Sequence, residues 1–145
     1  MTQQQDPPQA DTFPTEKIPA IKRVMMPRDT NAVGTIFGGV ILSEIDLAAA
    51  TEAHRHHAGM VVTVSMDKID FKAPVRVGDL VSFFTETLRI GRSSIKTKVS
   101  VWACRRFGGG EHEYVTEAEV TMVAVDENFK PIPVKEGGGS DADPR

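Results

Sequence analysis

Between residues 39 and 57, mostly apolar residues recur at spacings of three and four and form one stripe. This spacing is the repeat of an α-helix. The stripe predicts a helix over residues 39–57, of about five turns. Gly59 follows and is predicted to end the helix. The positions of the stripe are Ile41, Leu42, Ile45, Ala48, Ala49, Glu52 and Ala53.

Beyond residue 60 the repeat changes to two, which indicates strands. Four long strands are predicted, at residues 60–71, 80–90, 94–105 and 113–125. A short strand is predicted within residues 17–26, before the helix. It is expected at an edge, because Pro19 would not be tolerated in the centre of a sheet. One helix followed by strands with short connections predicts an α+β fold with a mostly antiparallel sheet. Since a single helix covers only part of such a sheet, we expect a homo-oligomer to bury the rest.

Both ends of the chain lack apolar periodicity and are rich in Gln, Pro, Gly and Asp. We therefore expect residues 1–17 and 135–145 to be disordered tails. Residues 18–134 then form one domain, which is long enough for a small core.

Composition restricts the function. The net charge of −3 argues against a protein that binds nucleic acid through a general basic surface. No apolar run is long enough for a transmembrane helix. We expect no secretory signal, because the N-terminal residues lack a basic stretch followed by an apolar one. The single cysteine, Cys104, excludes an intrachain disulfide, and a cytoplasmic location is expected.

Chemistry is most strongly suggested by the stretch NAVGTIFGGVILSEID at residues 31–46. Gly38 and Gly39 fall where the first unpaired N–H groups of the helix would lie. Without side chains, they allow an oxygen atom to approach those donors, where the helix dipole favours negative charge. This arrangement makes an oxyanion hole, although paired glycines also serve simply to turn the chain tightly into a helix.

Asp46 lies about two turns into the helix, among small apolar neighbours. A carboxylate that is partly withdrawn from water there would suit a general base, whereas an acid at the rim of the apolar stripe would simply be solvated. Glu44 is a weaker candidate on a different side of the helix. Asn31 precedes the glycines in a segment with turn chemistry, and by itself it indicates a turn.

The GRSS segment, residues 91–94, joins two predicted strands. Arg92 with Ser93 and Ser94 offers a cation and two hydroxyls for a phosphate, or forms an ordinary solvated hairpin turn. A metal site is not expected, because only His54 and His57 of the histidines near the helix end share a face and no Cys/His pair accompanies them. The chain has neither a phosphate-binding glycine loop nor a GxSxG elbow.

Taken together and in order, DTNAVGTIFGGVILSEID, FKAPVRVGD and GRSS resemble the hotdog-fold acyl-CoA thioesterases. The resemblance is to the small bacterial YciA-like group, related to the mammalian cytosolic acyl-CoA hydrolases, and covers residues 24–134. It implies a long central helix wrapped by a curved antiparallel sheet, with sheets paired across a dimer. It also implies dimers that assemble into hexamers, with active sites at the dimer interface.

By position, the resemblance implies that Asp46 is the general base or nucleophile and that Asn31 is supplied by the partner subunit. Backbone N–H groups of the segment from Phe37 to Gly39 would polarise the thioester carbonyl. Many relatives have histidine where this chain has Phe37, but the YciA-like group has phenylalanine, so the backbone must act alone. The turn formed by Arg92, Ser93 and Ser94 would approach the coenzyme A phosphates, and the segment that opens with Phe71 would line the substrate site.

The resulting prediction is hydrolysis of acyl-CoA to a carboxylic acid and coenzyme A, without a metal or other cofactor. Two alternatives are also compatible with the sequence. One is a non-catalytic acyl-CoA sensor, although the tails contain no effector module. The other is an acyl-thioester hydratase or dehydratase, which needs a histidine paired with an acid near the site.

Overall fold

Five antiparallel strands form one sheet in the order β1-β3-β4-β5-β2 in the computed structural model, which describes residues 12–135. The strands are β1 (Ile21–Val24), β2 (Val61–Asp67), β3 (Leu80–Ile90), β4 (Ser94–Cys104) and β5 (His112–Ala124). β3, β4 and β5 are consecutive hairpin-connected strands at the centre, and β1 and β2 are the edges. The predicted α+β class and the edge position of the first strand are confirmed.

The helix α1, Gly38–Ala53, packs across one face of this sheet. Its inward side is apolar apart from Glu52, and it meets a cluster of fully buried strand residues that includes Phe83, Val99 and Val120. Because the strands curve around the helix, the fold is the hotdog arrangement. None of the described helices is long and apolar enough to cross a membrane.

Two predicted elements end earlier in the structure. The helix stops at Ala53 with His54 as its C-cap, so the histidine-rich residues beyond it form turns. β2 stops at Asp67 because Lys68 takes a left-handed backbone conformation with φ of 61°, which a strand cannot continue through.

The outer face of the sheet is partly covered by the chain's own N-terminal segment. Phe13 packs edge-on against Phe84 and Trp102, with ring centroids 5.5 and 5.6 Å away, and stacks on His112 at 3.7 Å. The described part of the predicted N-terminal tail, residues 12–17, therefore includes one packed residue, Phe13. Residues 1–11 and 136–145 of the two predicted tails lie outside the described residues.

Between β1 and α1, the chain makes a narrow excursion that we call the entry loop, residues 25–37. It contains a short 3-10 helix, Pro27–Asp29, and a hairpin-like pairing in which Thr30 bridges Ile36. At the base of the pairing, Phe37 N–H donates to the carbonyl of Asp29 at 2.8 Å. The entry loop delivers the chain directly into the first turn of the helix.

Candidate active site at the start of the helix

The first helical turn presents unpaired backbone donors. Phe37 is the N-cap and has no side-chain capping bond, and Val40 N–H donates back to the carbonyl of Phe37 at 2.9 Å. Within residues 12–135, the N–H groups of Gly38 and Gly39 have no acceptor. Such groups, reinforced by the helix dipole, attract an oxygen atom with negative charge.

The two glycines have different surroundings. A Cβ on Gly38 would lie 3.8 Å from the Phe71 ring, an ordinary contact at the edge of a pocket. A Cβ on Gly39 would lie 2.6 Å from Cε2 of Phe37, which is too close, so glycine at this position makes room for the ring. Glycine at position 39 therefore leaves space for the Phe37 ring, whereas the absence of a side chain at Gly38 leaves the pocket open.

A pocket of about 320 Å³ opens beside this turn. The FKAPV segment forms one wall, and the first helical turns form the other. Its lining residues are Ile36, Gly38, Ile41, Phe71, Lys72, Ala73, Pro74 and Val75. The prediction from sequence named only Phe71 of this wall, although the FKAPVRVGD motif that it quoted contains the rest.

Lys72 places a positive charge on this wall. Its ammonium group donates to Asp70 Oδ2 at 2.8 Å, and this hydrogen bond, with the negative charge of Asp70, raises the pKa of Lys72. The lysine therefore stays protonated at neutral pH.

Asp46 is half-buried and accepts a hydrogen bond at Oδ1 from the Thr63 hydroxyl, at 2.5 Å. Thr63 lies on edge strand β2 beside a β-bulge, where a side chain is easily re-aimed. Thr63 had not been singled out, because its contact depends on strand register rather than on a sequence motif. Seven residues separate Gly39 and Asp46, so they share a helix face, about 10 Å apart along the axis.

Asn31 organises the entry loop with its side chain. Its Oδ1 accepts the N–H groups of Val33 at 2.9 Å and Thr35 at 3.1 Å, and its Nδ2 donates to Thr35 Oγ1 at 3.0 Å. This is the turn chemistry expected from the residue type. Among the described residues Asn31 makes no contact with Asp46, so a role in a site with Asp46 requires a second copy of the chain.

The GRSS turn lies at the other end of the sheet. Near the helix start, Ile36 N–H donates to the carbonyl of Val75, which comes just before β3. Arg92 follows the other end of β3, so the GRSS turn and the helix start are separated by the length of that strand, roughly 30 Å. Arg92 is exposed, and the carbonyls of Arg92 and Ser93 accept Val134 and Ala124 N–H groups at 2.8 Å. Gly91 N–H donates to the carbonyl of Ser94 at 2.8 Å, which closes the hairpin. One protomer therefore does not bring Arg92, Ser93 and Ser94 to its own helix start.

The buried acid at the far end of the helix, Glu52, has internal partners. Burial alone raises its pKa, but hydrogen bonds from Thr87 at 2.5 Å and Thr85 at 2.9 Å, together with Arg55, hold the pKa of Glu52 below its ordinary value. Because the Thr87 hydroxyl donates to Glu52, its oxygen accepts from Nε2 of His56 at 2.9 Å.

The neighbouring histidines are also engaged separately. His54 Nδ1 lies 3.2 Å from the carbonyl of His57, and His57 Nδ1 accepts the Lys135 N–H. Burial, with the charges of Lys135 and His54, lowers the pKa of His57. No group of three or more metal-ligating side chains is arranged to hold a metal ion among residues 12–135.

Comparisons with known proteins identify the family of the chain. Residues 33–105 match the thioesterase superfamily. An uncharacterized acyl-CoA thioester hydrolase of Haemophilus influenzae is 44% identical, over 74% of this chain and 71% of its own length. The acyl-CoA thioester hydrolase YciA of Escherichia coli is 36% identical, over 79% of this chain and 90% of its own.

Solved structures show the same fold. A hexameric hotdog fold thioesterase of Campylobacter jejuni has a TM-score of 0.76 at 45% identity, covering 80% of this chain and 89% of that one. An acyl-CoA hydrolase of Staphylococcus aureus, solved with butyryl coenzyme A, coenzyme A and coenzyme A disulfide, has a TM-score of 0.72 at 33% identity, covering 80% and 70%. The class is therefore a hotdog-fold thioesterase, and the chain belongs to the thioesterase superfamily, with acyl-CoA thioester hydrolases of the YciA group among its relatives.

Proposed function

We propose that this protein hydrolyses acyl-CoA thioesters to a free carboxylic acid and coenzyme A. The observation that carries the proposal is the pairing, on one helix face, of unpaired N–H groups at Gly38 and Gly39 with the half-buried carboxylate of Asp46. A pocket of about 320 Å³ beside the N–H groups, lined mostly by apolar residues, is suited to part of an acyl group. The relatives named as acyl-CoA thioester hydrolases support the choice of substrate.

The chemistry follows from where charge develops. When water adds to the thioester carbon, the carbonyl π electrons move to the oxygen, which then accepts hydrogen bonds from the N–H groups of the first turn. Asp46 takes a proton from the attacking water. The carbon–sulfur bond then breaks as the tetrahedral intermediate collapses, and coenzyme A leaves as its thiolate, which takes up the proton held by Asp46.

General-base catalysis is the step we favour for Asp46. Its Cα lies about 10 Å along the axis from that of Gly39, and helical side chains tilt towards the N-terminus, so the remaining gap suits an intervening water. Direct attack by the carboxylate, which would form an anhydride, is the alternative. Neither route draws on a metal or redox cofactor.

The active unit in this proposal is a homodimer. β2 is an edge strand with unpaired backbone groups, and it carries both the exposed Val64 and the Asp46 partner Thr63. Pairing of two such edges would bring the Asn31 loop of one subunit to the Asp46 of the other, and would let the Arg92 turn reach a coenzyme A bound across the interface. By analogy with the hexameric Campylobacter thioesterase, we infer a trimer of such dimers. A cytoplasmic location accords with an acyl-CoA substrate.

Sedimentation at micromolar concentration tests the assembly. We expect no appreciable monomer, and an active stable monomer would contradict the shared site.

The hydratase alternative is disfavoured by the structure, because His54, His56 and His57 lie at the opposite end of the helix from Gly38.

Release of free thiol from a panel of acyl-CoAs, by wild type and by Asp46→Asn, tests the activity. Asparagine retains an oxygen that can accept the Thr63 hydroxyl, so the variant should fold normally while kcat falls by at least about a hundredfold. Tight acyl-CoA binding without thiol release by the wild type would instead identify a sensor.

A further inference from the structure

A single guanidinium connects three segments near the proposed site. Arg23, on edge strand β1, donates through Nη2 to Asp29 Oδ1 and through Nη1 to Glu44 Oε2, both at 2.8 Å. Asp29 belongs to the entry loop and Glu44 to the second turn of α1. The three side chains are 28%, 7% and 14% exposed, so these ion pairs are shielded from water more than those on the open surface.

Asp29 passes this constraint to the start of the helix. Its Oδ2 accepts the Met26 N–H at 2.8 Å, and its carbonyl accepts the Phe37 N–H at 2.8 Å. Phe37 is the residue before Gly38. The position of Asp29 therefore determines where the chain enters the helix and where the first N–H groups point.

The same segment carries Asn31. Beyond Asp29 the loop continues as a narrow pairing, with Thr30 bridging Ile36 and Asn31 N–H donating to the carbonyl of Thr35 at 2.8 Å. Arg23 thus holds the base of a small hairpin against the helix, while Asn31 lies towards its tip.

We propose that Arg23 is a positioning residue for thioester hydrolysis. Through Asp29 and Glu44 it sets the angle between the entry loop and the helix. The inference rests on the function proposed above, in which the loop supplies Asn31 to one site and the helix supplies Asp46 to another. One guanidinium then aligns parts of two active sites.

The geometry requires arginine rather than any cation. A planar guanidinium offers two N–H groups to two carboxylates at fixed angles, whereas a lysine ammonium is a point charge that cannot hold both in the same orientation. Arg23→Lys keeps the charge that prevents repulsion between Asp29 and Glu44 but loses the fixed fork. It should therefore separate positioning from simple electrostatic stabilisation.

The experiment measures thiol release from butyryl-CoA by the full-length Arg23→Lys protein. We expect kcat to fall about tenfold or more, because small misplacements of catalytic groups are costly, while KM changes by less than about threefold. Arg55→Lys is the matched control: Arg55 also pairs with a helix glutamate, Glu52, but about 12 Å further along the helix than Glu44, and its kcat should be unchanged. Amide hydrogen exchange of residues 29–40 should be faster in Arg23→Lys than in wild type and unchanged in Arg55→Lys. Arg23→Lys should keep the sedimentation behaviour and melting temperature of wild type.

Two results overturn the inference: wild-type kcat in Arg23→Lys, or a loss of kcat that only parallels a loss of assembly and thermal stability. Absence of thiol release by the wild type would refute the proposed function instead, and hydrogen exchange at residues 29–40 would still decide whether Arg23 holds the loop. If Arg23→Lys does not fold, Glu44→Gln provides the same measurements. It keeps an acceptor for Arg23 but removes one charge, and it should lower kcat in the same direction.

Discussion

Gly38 and Gly39 allow catalysis and stability to be tested against each other. At Gly38 an added methyl group would meet the Phe71 ring at 3.8 Å, which is normal contact, so Gly38→Ala introduces no clash. Replacing glycine by alanine favours folding by up to about 1 kcal/mol in a helix interior, which is an upper bound for this first helical position. For a domain of this size, that corresponds to a rise of about 4 °C in melting temperature.

Activity should move in the opposite direction. The methyl group of Gly38→Ala would project into the pocket beside the unpaired N–H groups, where the thioester oxygen must approach. Alanine keeps its own N–H, but a methyl group that holds the oxygen away from this donor has the effect of losing it. Loss of one oxyanion donor typically costs a hundredfold to a thousandfold in kcat, or about 3–4 kcal/mol of transition-state stabilisation. We therefore expect a protein that is at least as stable as wild type and at least about a hundredfold slower.

Gly39→Ala provides the comparison. Its Cβ would lie 2.6 Å from the Phe37 ring, and since Phe37 is 56% exposed the ring can swing outwards. The helix-propensity gain is then offset by the lost packing, so little net stabilisation is expected. The assays are thermal unfolding and steady-state thiol release. Unchanged kcat/KM in Gly38→Ala would refute the assignment of these amides to the oxyanion.

Three further predictions concern other parts of the molecule. Arg92→Ser should raise KM for acyl-CoA about tenfold at low salt with kcat unchanged, since a lost phosphate contact weakens ground-state binding. Lys22→Ser, at an exposed position, controls for the loss of one positive charge. An unaltered KM in Arg92→Ser would show that the Arg92 turn does not belong to the site. Because the pKa of Glu52 is lowered in the folded state, its carboxylate stabilises the fold at neutral pH, and that contribution is lost as pH falls below 4.5. Chemical denaturation should therefore show Glu52→Gln less stable than wild type at pH 7, with the gap closing in acid; a constant gap would contradict the linkage. Phe13→Ala should lower the free energy of unfolding by about 1–2 kcal/mol without changing kcat. Phe107→Ala, at a position 84% exposed, should change the free energy of unfolding little. Equal effects of the two substitutions would show that Phe13 does not pack on the sheet.

Periodicity was sufficient for the core of the fold. The spacing of Ile41, Ile45 and Ala49 identified the buried helix face, and the alternation from Ile95 to Val101 identified a strand that is buried on that side. Ends were less accurate, because a turn through His54 or a left-handed Lys68 depends on local backbone energies that periodicity does not reveal.

The candidate site was only partly readable. Gly38 and Asp46 share one continuous helix, so sequence spacing alone relates them. The contact between Asp46 and Thr63 depends on the pairing of β2 with β5 and on a bulge, neither of which has a short-range signal. The bridge from Arg23 to Glu44 spans 21 positions and was missed for the same reason.

The order of the strands also bears on how the chain folds. The three central strands are consecutive in sequence and joined by short turns, so residues 80–124 can zip together through local contacts. The segment that contains β1, α1 and β2 comes earlier in the chain. It can reach its final structure only after β3, β4 and β5 have paired, since β1 and β2 pair with the opposite edges of these three strands. We expect the half of the protein that is synthesised first to acquire its final structure last.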